Sequence, residues 1–143
     1  MLEVVIYGRG GQGNVTAAEI LAIAAFEDGL YCQAYPFFGS ERTGSPVQAY
    51  VRLGTEPIRL RTQIREADVL LIQDETLIGS GDIAPAVRAG GTIIANSRKR
   101  PEDLGLAPAA QCWTVPALKI ALEVIGRPSV NVVMLGALAA INA

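Results

Sequence analysis

Short apolar runs alternate with helix-like stretches along this chain, and turn residues separate them. Glu3 to Tyr7 is a β-branched run that ends at Gly8, which predicts a first strand. Asn14 to Phe26 follows as an alanine-rich helix closed near Gly29, its small side chains suited to close packing on a sheet. Leu30 to Tyr35 reads as a second strand, completing one βαβ unit. Pro36 to Pro46 reads as a loop. Val47 to Leu53 alternates, with Gln48, Tyr50 and Arg52 on one face. Ile58 to Arg61 alternates again beyond Gly54, which predicts a hairpin. Val69 to Ile72 is a continuous apolar run, as expected of a central strand covered on both faces. A short helix around Ala84 to Arg88 leads through a Gly90-Gly91 turn into a strand at Thr92 to Ala95. Gln111 to Val115 completes the strands, and helices Ala117 to Ile125 and Val130 to Asn142 follow. The uncharged stretch from Val130 falls short of the ~20 residues of a membrane span and reads as a buried helix. This order predicts an α/β fold, a three-layer Rossmann-like domain with a mostly parallel sheet, spanning residues 1–143 as one unit.

Composition narrows the chemistry. Hydrophobic residues make up 50% of the 143 and charged residues 18%, which excludes a disordered segment. So low a charge fraction also implies that another protein chain covers part of the surface. The net charge of −2 gives no basic field for nucleic acid or an anionic membrane. Arginine supplies ten of the twelve basic residues, and arginine suits bidentate contacts to carboxylate or phosphate. With no histidine in the chain, Ser-His-Asp catalysis and His-ligated zinc are excluded. Cys32 and Cys112 are too few for a four-thiolate iron–sulfur cluster, so no metal site is expected. Free thiols in a reducing cytosol are the expected state. Met1 to Ile6 lacks the basic start of a signal peptide, and the expected location is cytoplasmic.

The chemistry-bearing candidate is Gly8-Arg9-Gly10-Gly11-Gln12-Gly13, whose Gly8, Gly10 and Gly13 have the G-x-G-x-x-G spacing between strand and helix. Such glycines permit a tight turn and close backbone approach to an anion at a helix N-terminus. Arg9 adds a full charge at that rim. A dinucleotide site also wants an acid at the end of the second strand, where this chain has Gln33-Ala34-Tyr35-Pro36. A packed turn and an anion seat both remain open, and NAD ranks below them. A stand-alone phosphate- or nucleotide-binding module is the rival to a complex subunit.

The hexapeptide resembles the opening of the gamma subunit of 2-oxoacid:ferredoxin oxidoreductases. The resemblance continues through Ala17-Ala18-Glu19-Ile20-Leu21-Ala22 and sharpens at Tyr35 to Val47, which holds Pro36-Phe37-Phe38-Gly39-Ser40-Glu41-Arg42-Thr43-Gly44. Pro57-Ile58-Arg59, Ile72-Gln73-Asp74 and Asn131 to Ala137 extend it over nearly the whole chain. The Pro-Phe-Phe-Gly-x-Glu-Arg-x-Gly form is closer to pyruvate and branched-chain 2-oxoacid enzymes than to 2-oxoglutarate or indolepyruvate types. The resemblance implies a subunit without catalytic residues of its own. Its complex would oxidatively decarboxylate a 2-oxoacid to acyl-CoA and CO2 and pass electrons to ferredoxin or flavodoxin. Thiamine diphosphate, Mg2+ and iron–sulfur clusters would sit on alpha, beta and delta-type partners, with CoA as co-substrate. Glu41 and Arg42 would face a partner or CoA. Such subunits run past the last helix, so a chain ending at Ala143 is expected to be truncated or short.

Among the remaining residues, the paired carboxylates Asp74-Glu75 follow a strand at the ligand edge and suit magnesium or acid–base work, but Asp74 is expected rather to N-cap the next helix. Capping also suffices for Asn131. Arg59 and Arg61 share a face, with Arg65 beyond. A solvated face is the simpler reading, a clamp for phosphate or a partner's carboxylates the sharper one. Phe37 and Phe38 are adjacent and cannot both enter one small core.

Overall fold

A computed structural model describes residues 1–38, 45–79, 86–106 and 109–141. Its strands are β1 (Leu2–Arg9), β2 (Tyr31–Phe38), β3 (Pro46–Gly54), β4 (Glu66–Ile72), β5 (Ala86–Asn96) and β6 (Gln111–Val115). Helix α1 spans Asn14–Glu27, α2 spans Ala117–Ile120 and runs into a π-helical turn at Ala121–Ile125, and α3 spans Val130–Ile141. Helical 3-10 turns cover Glu75–Leu77 and Pro101–Leu104. The strand order is β2-β3-β1-β4-β5-β6. β3 runs antiparallel to both neighbours, while β1, β4, β5 and β6 are successively parallel. The sheet is therefore mostly parallel, as expected.

Alternation sorts the core into two faces. Val4, Ile6, Val51, Val69, Leu71 and Ile94 pack under α1 and α3, where Ala17, Ala18 and Ala25 let α1 lie close. Val5, Tyr7, Tyr50, Leu70, Ile72 and Ile93 form the opposite face. The described cover on that side is Ile64, Leu77 and Leu104, carried by an irregular segment and the two 3-10 turns.

Four expectations change. The βαβ unit is split, because β3 inserts between β1 and β2. The predicted hairpin of Val47–Leu53 with Ile58–Arg61 does not form. Both edges of β3 are already taken, Leu2 pairing with Leu53 on one side and Tyr31 with Gly54 on the other, so residues 58–61 find no ladder. Pro36 to Phe38 belongs to β2 rather than to a loop, and the Phe37 ring stacks on Tyr50 at 6.0 Å. The predicted short helix is strand from Ala86, paired with Glu66, since backbone pairing outweighs the helix preference of alanine. Ala84 and Pro85 lie outside the described residues. The Gly90-Gly91 pair sits in a bulge of β5 between Val87 and Thr92, with Gly90 at φ 79°.

The uncharged C-terminal helix is only half covered. Met134 and Leu138 of α3 are buried, while Val132 stays exposed, as do Leu118, Leu122, Val124 and Ile125 before it. Ile23 and Phe26 of α1 are exposed too. The helix layer thus presents apolar side chains outward. No single described helix is long and apolar enough to cross a membrane, and the helical segments Ala117–Ile125 and Val130–Ile141 meet at a 107° bend.

Candidate functional site

The chain leaves β1 toward β2 on one side and continues from β4 to β5 and β6 on the other, which makes the β1/β4 boundary the topological switch point. Open α/β sheets place ligands there, beyond the carboxyl ends of the strands. A cleft of 930 Å³ lies at this end. Its polar floor includes Gln12, Gln73, Thr76 and Asn96, and its apolar wall includes Leu118 and Leu122.

The glycine loop forms one rim, and each glycine has its own task. Gly13 is the N-cap of α1 at φ 73°, and Gly11 turns the loop at φ 87°, values that favour glycine. Gly8 has no left-handed angle. Its missing side chain instead leaves room for Gln12 and Asn14, since a Cβ there would sit 2.9 Å from Gln12 Oε1 and closer still to Asn14 Oδ1. The Gly10 amide donates to the Ser45 carbonyl, tying the loop to the start of β3.

Side chains of the chain itself occupy much of the rim. Gln12 Oε1 accepts from the Arg9 amide at 2.7 Å, and Gln12 Nε2 donates to Asp74 Oδ2 at 2.8 Å. The Arg9 guanidinium donates to Thr76 Oγ1 through Nε and Nη2, with Nε 3.5 Å from Asp74 Oδ2. Asp74 caps its 3-10 turn by accepting from the Thr76 amide and hydroxyl, so the capping expectation holds. Burial pushes the Asp74 carboxyl up. The Thr76 and Gln12 bonds and the Arg9 charge outweigh that and hold its pKa below the ordinary value.

An acid with a lowered folded pKa stabilises the chain above the unfolded value of about 3.9 and ceases to do so as pH falls through the folded pKa. The stability difference between wild type and Asp74→Asn should therefore be widest near neutrality and shrink below about pH 4. Urea midpoints at pH 7, 4 and 3 read this out. A difference that stays constant with pH would remove Asp74 from the account.

Sequence reasoning missed a set of carboxamides around the cleft. Asn14 Nδ2 donates to the Arg9 carbonyl, and Gln73 Nε2 donates to Asn14 Oδ1 at 2.5 Å. Asn96 bridges the Gln73 carbonyl and the Ala117 amide, joining β4, β5 and α2. Asn131 accepts at Oδ1 from the Val132 amide in the first turn of α3 at 3.0 Å, so its side chain does serve a free amide at that helix start. Asn131 itself sits inside the helix and donates to the Gly13 carbonyl at 3.2 Å, which explains why Gly13 has no room for a side chain. Gln73 is 2% exposed, and its Oε1 has no partner among the described residues. A buried acceptor left open is costly, and this one belongs to a residue that lines the cleft. Gln73 and Asn131 stood inside recognisable motifs, whereas nothing local marked Asn14 or Asn96.

Of the predicted residues, Gly11 and Gln12 line the cleft and Arg9 reaches Thr76 beside it, while Gly8 packs against Asn14 and Gln12, Gly13 against Asn131, and Gly10 is tied to Ser45. Glu41 and Arg42 lie outside the described residues. Among the described residues no group of three or more His, Cys, Asp or Glu could hold a metal ion, and Cys32 and Cys112 are free thiols.

Fold and site together define an open α/β domain with a cleft at its switch point and an apolar helix layer facing outward. The chain belongs to the pyruvate ferredoxin/flavodoxin oxidoreductase family, whose model matches residues 3–143. It is 52% identical to the pyruvate synthase subunit PorC of Methanosarcina barkeri, over 97% of this chain and 76% of that one. Identity to the common gamma subunit of pyruvate/ketoisovalerate oxidoreductases from Thermococcus kodakarensis is 46%, over 97% and 77% of the two chains. The crystal structure of pyruvate oxidoreductase subunit PORC from Thermotoga maritima matches with a TM-score of 0.84 at 35% identity, covering 98% of this chain and 75% of that one.

Proposed function

We propose that this chain is the gamma subunit of a multi-subunit pyruvate:ferredoxin oxidoreductase, or of one shared with a branched-chain 2-oxoacid, working in the cytoplasm. The observation that carries this reading is 46–52% identity, over almost the full chain, to PorC and common gamma subunits. The stand-alone nucleotide module loses ground for the same reason. In this reading the exposed apolar helix layer is where the alpha, beta and delta-type partners cover the subunit. Thiamine diphosphate, Mg2+ and the iron–sulfur clusters belong to those partners, because two separate cysteines and no histidine make no donor set for a cluster.

The chain's own contribution is to help enclose the reaction and receive CoA. Gly11, Gln12 and Gln73 line the cleft, with Arg9 held beside it on Thr76, and Glu41 and Arg42 act from the sequence that follows β2. The glycine loop contributes its turn and the positive end of α1.

Co-expression with the larger subunits tests the reading. The chain should co-purify with them, while purified alone it should carry no iron or acid-labile sulfide and reduce no acceptor. In the assembled enzyme, Arg42→Ala should raise the KM for CoA, or weaken subunit retention, by at least about tenfold, because a charged partner is left unpaired in a poorly solvated place. The free variant should unfold like the wild type. Failure of the wild-type chain to join any complex would overturn the subunit reading, and an unchanged Arg42→Ala enzyme would clear Arg42 of the role.

A further inference from the structure

A second groove, of 870 Å³, opens at the other end of the strands, where β1 and β4 begin. Four arginines line it: Arg52, Arg61, Arg65 and Arg88. Its two lining acids are Glu3 and Glu66. Both Glu3 oxygens are engaged, Oε2 by Arg52 at 3.1 Å and Oε1 by Arg88 at 2.7 Å. Positive charge therefore remains in excess there, although the chain as a whole is acidic.

The arginines are held in place rather than loosely displayed. Residues 58–65 belong to no strand, yet Gln33 Nε2 donates to the Leu60 carbonyl at 2.6 Å and Arg52 Nη2 to the Thr62 carbonyl at 2.7 Å. The Tyr35 hydroxyl donates to the same Thr62 carbonyl, and Ile64 is buried. The backbone that carries Arg61 and Arg65 is thus pinned on both sides. Arg88 is aimed by Glu3 and by Asp68 at 3.1 Å, with its side chain still 45% exposed. Arg61 and Arg65 are exposed and make no hydrogen bond or ion pair among the described residues. Preset guanidinium groups suit bidentate carboxylate contacts. Leu60, half exposed beside them, offers an apolar contact.

We infer that this groove docks an acidic peptide segment of a partner subunit, with Arg61, Arg65 and the exposed edge of Arg88 gripping its carboxylates and Leu60 packing against it. The groove is far larger than a lone phosphate ion needs, and such an ion makes no use of Leu60. The inference rests on the subunit reading and assigns that subunit a contact distinct from its apolar helix layer.

The test is a salt titration of the assembled complex, followed by size-exclusion chromatography. Arg61→Glu combined with Arg65→Glu should raise the dissociation constant at least about tenfold and flatten its salt dependence. Arg59→Glu, on the same segment but outside the groove, should behave as wild type. Retention of wild-type affinity by the double variant overturns the inference, as does an equal loss in Arg59→Glu, which would mark a general charge effect. An Arg61→Gln, Arg65→Gln pair gives the same reading should the reversals fold poorly. Octaglutamate added to the full chain should bind, and should lose at least about tenfold in the double variant; inorganic phosphate binding as tightly would overturn the peptide assignment. A wild-type chain that joins no complex removes the subunit reading and this inference together. A double variant that assembles normally removes only the inference.

Discussion

Arg52→Met should lower the stability of the chain by about 3–5 kcal/mol, the usual cost of removing one partner from a buried charge network. Arg52 is 1% exposed in β3, and all of its polar atoms are used. Nε meets Glu3, Nη1 meets Gln33 Oε1 at 3.1 Å and the Tyr35 hydroxyl at 2.9 Å, and Nη2 meets the Thr62 carbonyl. Methionine fills similar space but leaves Glu3 Oε2 and Gln33 Oε1, both partly buried, without this donor. Against a total stability of about 5–15 kcal/mol, that loss is a large fraction. Arg52→Lys should recover little, because an ammonium cannot reach three directions in one plane. Urea unfolding with an unchanged slope is the measurement. A loss under about 1 kcal/mol would mean that water, not protein, satisfies these groups.

Gly13→Val should be the most damaging change in the glycine loop, at about 3 kcal/mol from two additive causes. The left-handed backbone costs an L-residue about 1–2 kcal/mol, and overpacking adds about 1–3 kcal/mol. Gly13 stands at φ 73°, and its Cβ would lie 2.5 Å from Asn131 Nδ2. Gly11→Ala isolates the first cause, because Gly11 has φ 87° and nothing within 4 Å; it should cost about 1 kcal/mol. Gly8→Ala isolates the second, displacing the Asn14 and Gln12 side chains without backbone strain. Thermal unfolding of the three variants should rank Gly13→Val lowest. Equal melting points would show that neither the angle nor the Asn131 contact matters.

The family resemblance rested on motifs, and those motifs turn out to carry geometry. Ile72-Gln73-Asp74 ends β4 at the switch point, and Asn131 reaches back to the glycine loop. Their physical roles nevertheless needed coordinates, because each depends on a partner about 60 or more residues away.

The chain alone determined the elements whose causes are local. α1 was legible from its alanines and from Gly29, where the chain turns at φ 82°. β4 was legible as an apolar run, and the loop between β1 and α1 from its glycines. Pairing was not local. Whether Ile58 to Arg61 would find a strand depended on which edges of β3 were still open, and β1 and β2 had taken both. The alternation of Gln48, Tyr50 and Arg52 likewise gave their shared face correctly but not its burial. Only the packing of the 58–65 segment and Tyr35 over that face turned an arginine that would otherwise meet water into the buried centre of a network. Local propensity acts through neighbours a few residues apart, whereas pairing and burial are settled by whichever distant segments compete best for the same edge or face.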